Sequence, residues 1–147
     1  MSQEGHGSVF NVIPVATGIH VSLKNATGVT FILYEDGGAQ STDFVESKAG
    51  ASGQALTTIN KYKAANGVGG VWTAETADAG ATLDDDSNFV KKDTTLFDAA
   101  SIYIGADELS AGFDSVEATI DGAGICIAIV HGLSEQRAIE NLAAAGV

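Results

Sequence analysis

With 147 residues the chain is the length of one domain, and such a domain buries about 70% of the surface its unfolded chain exposes, so no disulfide or metal is needed to close a core. Its 19 acidic against 7 basic residues leave a formal charge of -12, which repels phosphate backbones and argues against a nucleic-acid partner. The single cysteine cannot bridge within the chain, no run approaches the roughly 18 apolar residues of a membrane helix, and residues 1–10 lack the basic and apolar regions of a secretion signal. The expectation is a soluble protein with no membrane partner.

In chain order, residues 1–8 are polar with two glycines and read as a flexible arm. A β-rich domain is expected over 9–132. Residues 9–14 have strand composition, and Pro14 suits an edge strand, where no ladder donor is lost. Ile19, Val21 and Leu23 alternate with His20, Ser22 and Lys24, the period of a strand with one wet face. After the turn signal Asn25-Ala26-Thr27-Gly28, the apolar run 29–34 is expected to complete a hairpin over 19–34, closed by Asp36-Gly37-Gly38. A shorter strand is expected near 42–46.

From Ser52 the spacing changes. Leu56, Ile59 and Tyr62 fall on one face of an amphipathic helix expected over 54–65, with Ser52 as cap and Asn66-Gly67 as stop. A strand over 71–76 holds the only Trp, Trp72, and another lies at Ile102-Tyr103-Ile104. Residues 77–87 read as a loop, and 88–98 fit either a hairpin or a long crossing loop.

The stretch 101–130 is read as the centre of the fold. Val116, Ala118 and Ile120 alternate with Ser115, Glu117 and Thr119, a half-buried strand. Asp121-Gly122 is expected to turn the chain, and residues 125–130, apolar without a break, are expected to form a central strand covered on both faces. Val116, Ile120, Ile125, Ile127 and Ile129 are the expected core. The fold class is therefore mainly β, a single-domain sandwich or small barrel with one helix packed on it. Residues 133–147 form a C-terminal arm or a short helix, since Ser134 can cap a helix in which Ile139 and Leu142 share a face.

No motif for chemistry holds. Asp84, Asp86 and Asn88 match the first positions of a calcium loop, but Phe89 stands where Gly is needed and Thr95 where the bidentate Glu is needed. Gly122-Ala123-Gly124 precedes a strand rather than a helix and lacks the third Gly of a dinucleotide fingerprint. His6, His20, His131 and Cys126 match no zinc spacing. Asp107 and Glu108 read as a turn, no Ser lies in a nucleophile elbow, and Cys126 reads as a small buried hydrophobe. The expectation is no catalytic residue, no metal and no cofactor.

Three stretches resemble a known group: residues 28–37 (GVTFILYEDG), 106–116 (ADELSAGFDSV) and 133–142 (LSEQRAIENL). With them the chain looks like the small structural proteins encoded beside the major capsid protein of tailed bacteriophages, called minor capsid, head decoration or cement proteins. One departure is Ile139, where such tails often carry Pro next to the position of Ala138, which leaves the tail open between extended and helical. The resemblance implies a virion structural protein on the phage head, made in the host cytoplasm, with the major capsid protein as partner and homo-oligomers expected. A tail or fibre module that binds a receptor or glycan is the alternative. An arm that cannot order itself can be ordered by a partner, so the expected partner-binding residues are Arg137, Ile139 and Leu142.

Overall fold

The structure, a computed structural model, describes residues 10–56, 59, 61–65, 73–76 and 99–133. These form eight strands: β1 (Phe10–Val15), β2 (His20–Ser22), β3 (Gly28–Lys48), β4 (Ala51–Ala55), β5 (Lys61–Ala65), β6 (Thr73–Thr76), β7 (Ala99–Gly105) and β8 (Ser115–His131), with one 3₁₀ turn at Ala106–Glu108. All pairings are antiparallel.

Two long strands organise everything else. β3 and β8 pair along nearly their whole length, from Gly28 opposite His131 to Ser47 opposite Ser115. Their outer halves carry different neighbours. One layer has the order β1-β8-β3-β7-β5-β6; in the other, β2 flanks β8 and β4 flanks β3. The layers face each other, since the Phe31 and Phe44 rings, from the two halves of β3, lie with centroids 5.2 Å apart.

The bend sits where the ladder slips. Glu35 pairs Gly124 and Gln40 pairs Gly122, so β3 spends more residues between these points than β8 does. An odd excess exchanges the two faces of β3, because side chains alternate with a period of two. Thus Val29, Phe31 and Leu33 point inward before the bulge, and Thr42, Phe44 and Glu46 after it, whereas β8 keeps Val116, Ala118, Cys126, Ala128 and Val130 inward throughout. Large side chains on β3 meet small ones on β8: Phe44 lies opposite Ala118, Phe31 opposite Ala128 and Leu33 opposite Cys126, an arrangement that fills a core at native density. One buried cluster results, joined by Ile13, Val21, Leu56, Ile59, Ile102 and Ile104 from the other elements.

Several expectations are corrected. The helix over 54–65 is replaced at both ends by strand, Ala51–Ala55 and Lys61–Ala65. Ser52 has φ 55°, off the helical region, and the Leu56 amide donates to Phe44 O at 2.9 Å, so backbone pairing with β3 overrides local helix preference. Leu56 and Ile59 are buried as the helical spacing required, but beside strands. Asp36-Gly37-Gly38 and Asp121-Gly122 do not end strands; they lie along β3 and β8 at the bend. The 19–34 hairpin is also absent: the turn at Asn25 (φ 64°) forms, yet β2 pairs β8, because the turn carries the chain from one layer to the other.

The expected core is right for Val116, while Ile120 is only partly buried and packs against the cluster. Ile125 and Ile127 are 55% and 37% exposed, and Ile129 is half-buried. The run 125–130 is buried on one face only. β1 is an edge strand of its layer, as Pro14 suggested. Trp72 and residues 77–98 lie outside the described residues.

Candidate functional site

The outward face of the β1-β8-β3-β7 layer is built in three rows. Val12, Ile129, Thr30 and Tyr103 are neighbours across the strands, followed by Pro14, Ile127, Ile32 and Ser101, and then by Ile125, Tyr34 and Ala99. None of these side chains is charged, on a chain with 19 acidic residues. Val12, Tyr34, Tyr103, Ile125 and Ile127 are exposed large hydrophobics. At the rim Lys63, exposed, pairs Ser101 from β5.

Local chemistry fixes the aromatic corner of this face. His131 Nε2 and Thr30 Oγ1 are 2.7 Å apart, and the Tyr103 ring lies 6.1 Å from the imidazole, centroid to centroid. Tyr103 lies over Gly28: a Cβ there would meet the Tyr103 hydroxyl at 2.5 Å and Ile104 O at 2.7 Å. Glycine is required at this point by close approach rather than by a turn. The β-branched side chains of the rest resemble an inner sandwich face, which normally meets a second sheet.

The other layer carries a cluster of hydrogen-bonded polar side chains around His20. His20 Nδ1 lies 2.9 Å from Ser47 Oγ and its Nε2 lies 3.3 Å from Glu117 Oε2. The order Ser–His–Glu invites a nucleophile reading, but Ser47 is 0% exposed and its hydroxyl also lies 2.9 Å from Ser115 Oγ, itself buried. No substrate can reach that oxygen. The contacts are those of a clamp: the Gly50 amide donates to Ser115 Oγ, the Ala49 amide to Asp114 Oδ1 and the Gly18 amide to Glu117 Oε1. They tie β2, β8 and the β3–β4 turn together.

Glu46 is the one buried carboxylate among the described residues, 1% exposed. Burial pushes its pKa up, but hydrogen bonds from the Ser110 hydroxyl and amide and from Gln54 outweigh this and hold it below the ordinary value. Cys126 is a buried free thiol, its pKa pushed up to about 12 by burial. Glu108 accepts from the Gly105 amide at 2.8 Å within the 3₁₀ turn.

Among the described residues no three His, Cys, Asp or Glu side chains are grouped to hold a metal, and no helix is long and apolar enough to cross a membrane. His20, His131 and Cys126 are not brought together. Asp84, Asp86 and His6 lie outside the described residues, as do Arg137, Ile139 and Leu142. Sequence reasoning missed the apolar face itself. Its signal is the alternation of large Ile125, Ile127 and Ile129 with small Cys126 and Ala128: small residues belong opposite bulky core partners, leaving the large ones outside. Compared with protein-family models, curated proteins and solved structures, the chain gives no match in any of the three.

Proposed function

We propose that this is a virion structural protein of a tailed bacteriophage, which decorates or cements the capsid lattice by protein–protein contacts. The observation that carries the reading is the uncharged, exposed apolar sheet face on an otherwise acidic domain, since contiguous patches of this kind mark surfaces where proteins meet. The polar cluster around His20 supports the same reading, as its hydroxyls are spent on holding strands together. An acidic chain also does not compete for packaged DNA. The major capsid protein and further copies of this chain are the partners. Arg137, Ile139 and Leu142 anchor the C-terminal segment on a neighbouring subunit, with Arg137 supplying a cation to a carboxylate there.

The test is addition of purified protein to bare capsids, followed by co-sedimentation and image reconstruction. Regular density over the whole head is expected, and the double substitution Ile139→Ala, Leu142→Ala should weaken attachment while leaving the melting temperature unchanged. Density confined to the tail would favour the receptor- or glycan-binding alternative, and absence of binding to either would remove the reading.

A further inference from the structure

We propose that the apolar outer face of the β1-β8-β3-β7 layer docks a second copy of this chain, sheet against sheet about a two-fold axis near Ile127. The proposal rests on the reading that the protein works through protein–protein contacts, and names the partner of one surface. The distribution of charge admits a second copy on this face. Two bodies each bearing -12 repel wherever their acidic surfaces meet, and the three rows running from Val12 to Tyr103 carry no charge at all. This is a face by which one copy can approach another without setting carboxylate against carboxylate.

Shape agrees. The central strand β8 presents Ile125, Ile127 and Ile129 with Ile32 and Pro14 beside Ile127. Such a β-branched surface packs on a like surface at about 10 Å, as inner sandwich faces do. A two-fold axis lets one flat patch serve both partners.

Area sets the strength. Four strands about 4.8 Å apart and three rows about 7 Å apart give a face of roughly 400 Å² in plan, so about 800 Å² for the pair. That is below the roughly 1,200 Å² of the smaller stable complexes. The dimer is therefore weak in free solution and becomes effective where copies are held side by side, because tethering replaces bulk concentration with a high local one.

The experiment is sedimentation equilibrium of the 147-residue chain from micromolar to millimolar concentration, without capsids. A monomer–dimer equilibrium is expected, tightening as salt rises because screening relieves the mutual repulsion. Ile127→Asp should weaken dimerisation at least tenfold with an unchanged melting curve, while Ala51→Asp, at an exposed position of β4 in the other layer, should leave it intact. Ile127→Cys supplies a second measurement. Native Cys126 is buried, so a short bismaleimide should join two copies through position 127. Wild type monomeric at millimolar concentration, Ile127→Asp dimerising like wild type, or no cross-linked dimer would each overturn the proposal. A dimer without capsid binding would leave this inference standing and remove the virion reading, and capsid binding by a strict monomer would do the reverse.

Discussion

Phe31 and Phe44 belong to one strand, yet their rings lie 5.2 Å apart at an interplanar angle of 53°. At about 3.3 Å per residue an unbent strand would hold these positions roughly 43 Å apart. The pair therefore measures the fold: β3 doubles over, and two aromatic rings close the space between its halves. Phe44→Ala removes the ring that faces Phe31 and Ala118, and should cost about 3–5 kcal/mol in urea denaturation, because transfer and cavity terms add. A loss below about 1 kcal/mol would mean that the layers are not held there.

Parity along β8 gives a paired test. Ala128→Asp places a charge at a 0% exposed position beneath Phe31 and should unfold the domain at room temperature, whereas Ile125→Asp, at a position 55% exposed, should melt within a few degrees of wild type. Circular dichroism melts read both. Equal damage from the two would show that β8 is covered on both sides.

That pair also shows what could be read from the residues alone. The alternation of Val116, Ala118 and Ile120 identified the buried parity of β8, and Pro14 identified an edge. Continuing the same parity would have placed Cys126, Ala128 and Val130 inside, but six apolar residues in succession concealed the alternation. The glycine pairs at 37–38 and at 122 and 124 were legible as breaks in regular strand, though not as two breaks set opposite each other, where the ladder bends without ending. The segment 54–65 misled because Leu56 and Ile59 are buried at a spacing a helix would also give. The decisive hydrogen bond, to Phe44, is long-range and leaves no local trace. The apolar face was hidden for the same reason as the β8 parity, and the arm residues Arg137, Ile139 and Leu142 lie outside the described residues.

Glu46 makes stability depend on acid. Its folded pKa lies below the unfolded value, so its contribution is complete above about 4.3, the ordinary range of an unfolded Glu, and is lost as pH falls from there through the folded value. Glu46→Gln should flatten that part of the stability–pH curve. Glu46→Ala, which leaves the Ser110 amide and the Gln54 side chain without their acceptor, should cost about 1–3 kcal/mol at neutral pH. An unchanged acid limb in Glu46→Gln would count against the assigned pKa.

Cys126 should be silent to thiol reagents. Burial and a pKa near 12 leave almost no thiolate at pH 8, and the thiolate is the reactive form. Ellman's reagent should give no signal from the folded protein within minutes and one equivalent after urea. Prompt reaction in the folded state would mean that the β8 core opens readily.

Gly28→Ala should displace Tyr103 or push apart β3 and β7, since the added carbon meets both the Tyr103 hydroxyl and Ile104 O. A backbone atom cannot swing away as a side chain can. The expected loss is about 1–3 kcal/mol, seen as a lower melting temperature. The double substitution Gly28→Ala, Tyr103→Ala should recover part of the loss, and full recovery would show that the backbone contact is not limiting.

The long β3–β8 ribbon also governs how the chain reaches its structure. Ser47 meets Ser115 across 68 positions of sequence, and Thr30 meets His131 across 101, so pairing must wait on closure of very large loops, a topology that folds in milliseconds to seconds rather than microseconds. Because both layers share the same two strands, neither layer has a version of itself that can form first and persist alone. Amide protons at the centre of β3 and β8 should exchange only when the whole domain opens, and at one common free energy. Their protection would report global stability directly, while β4 and β6, at the margins, should release their protons through local fraying.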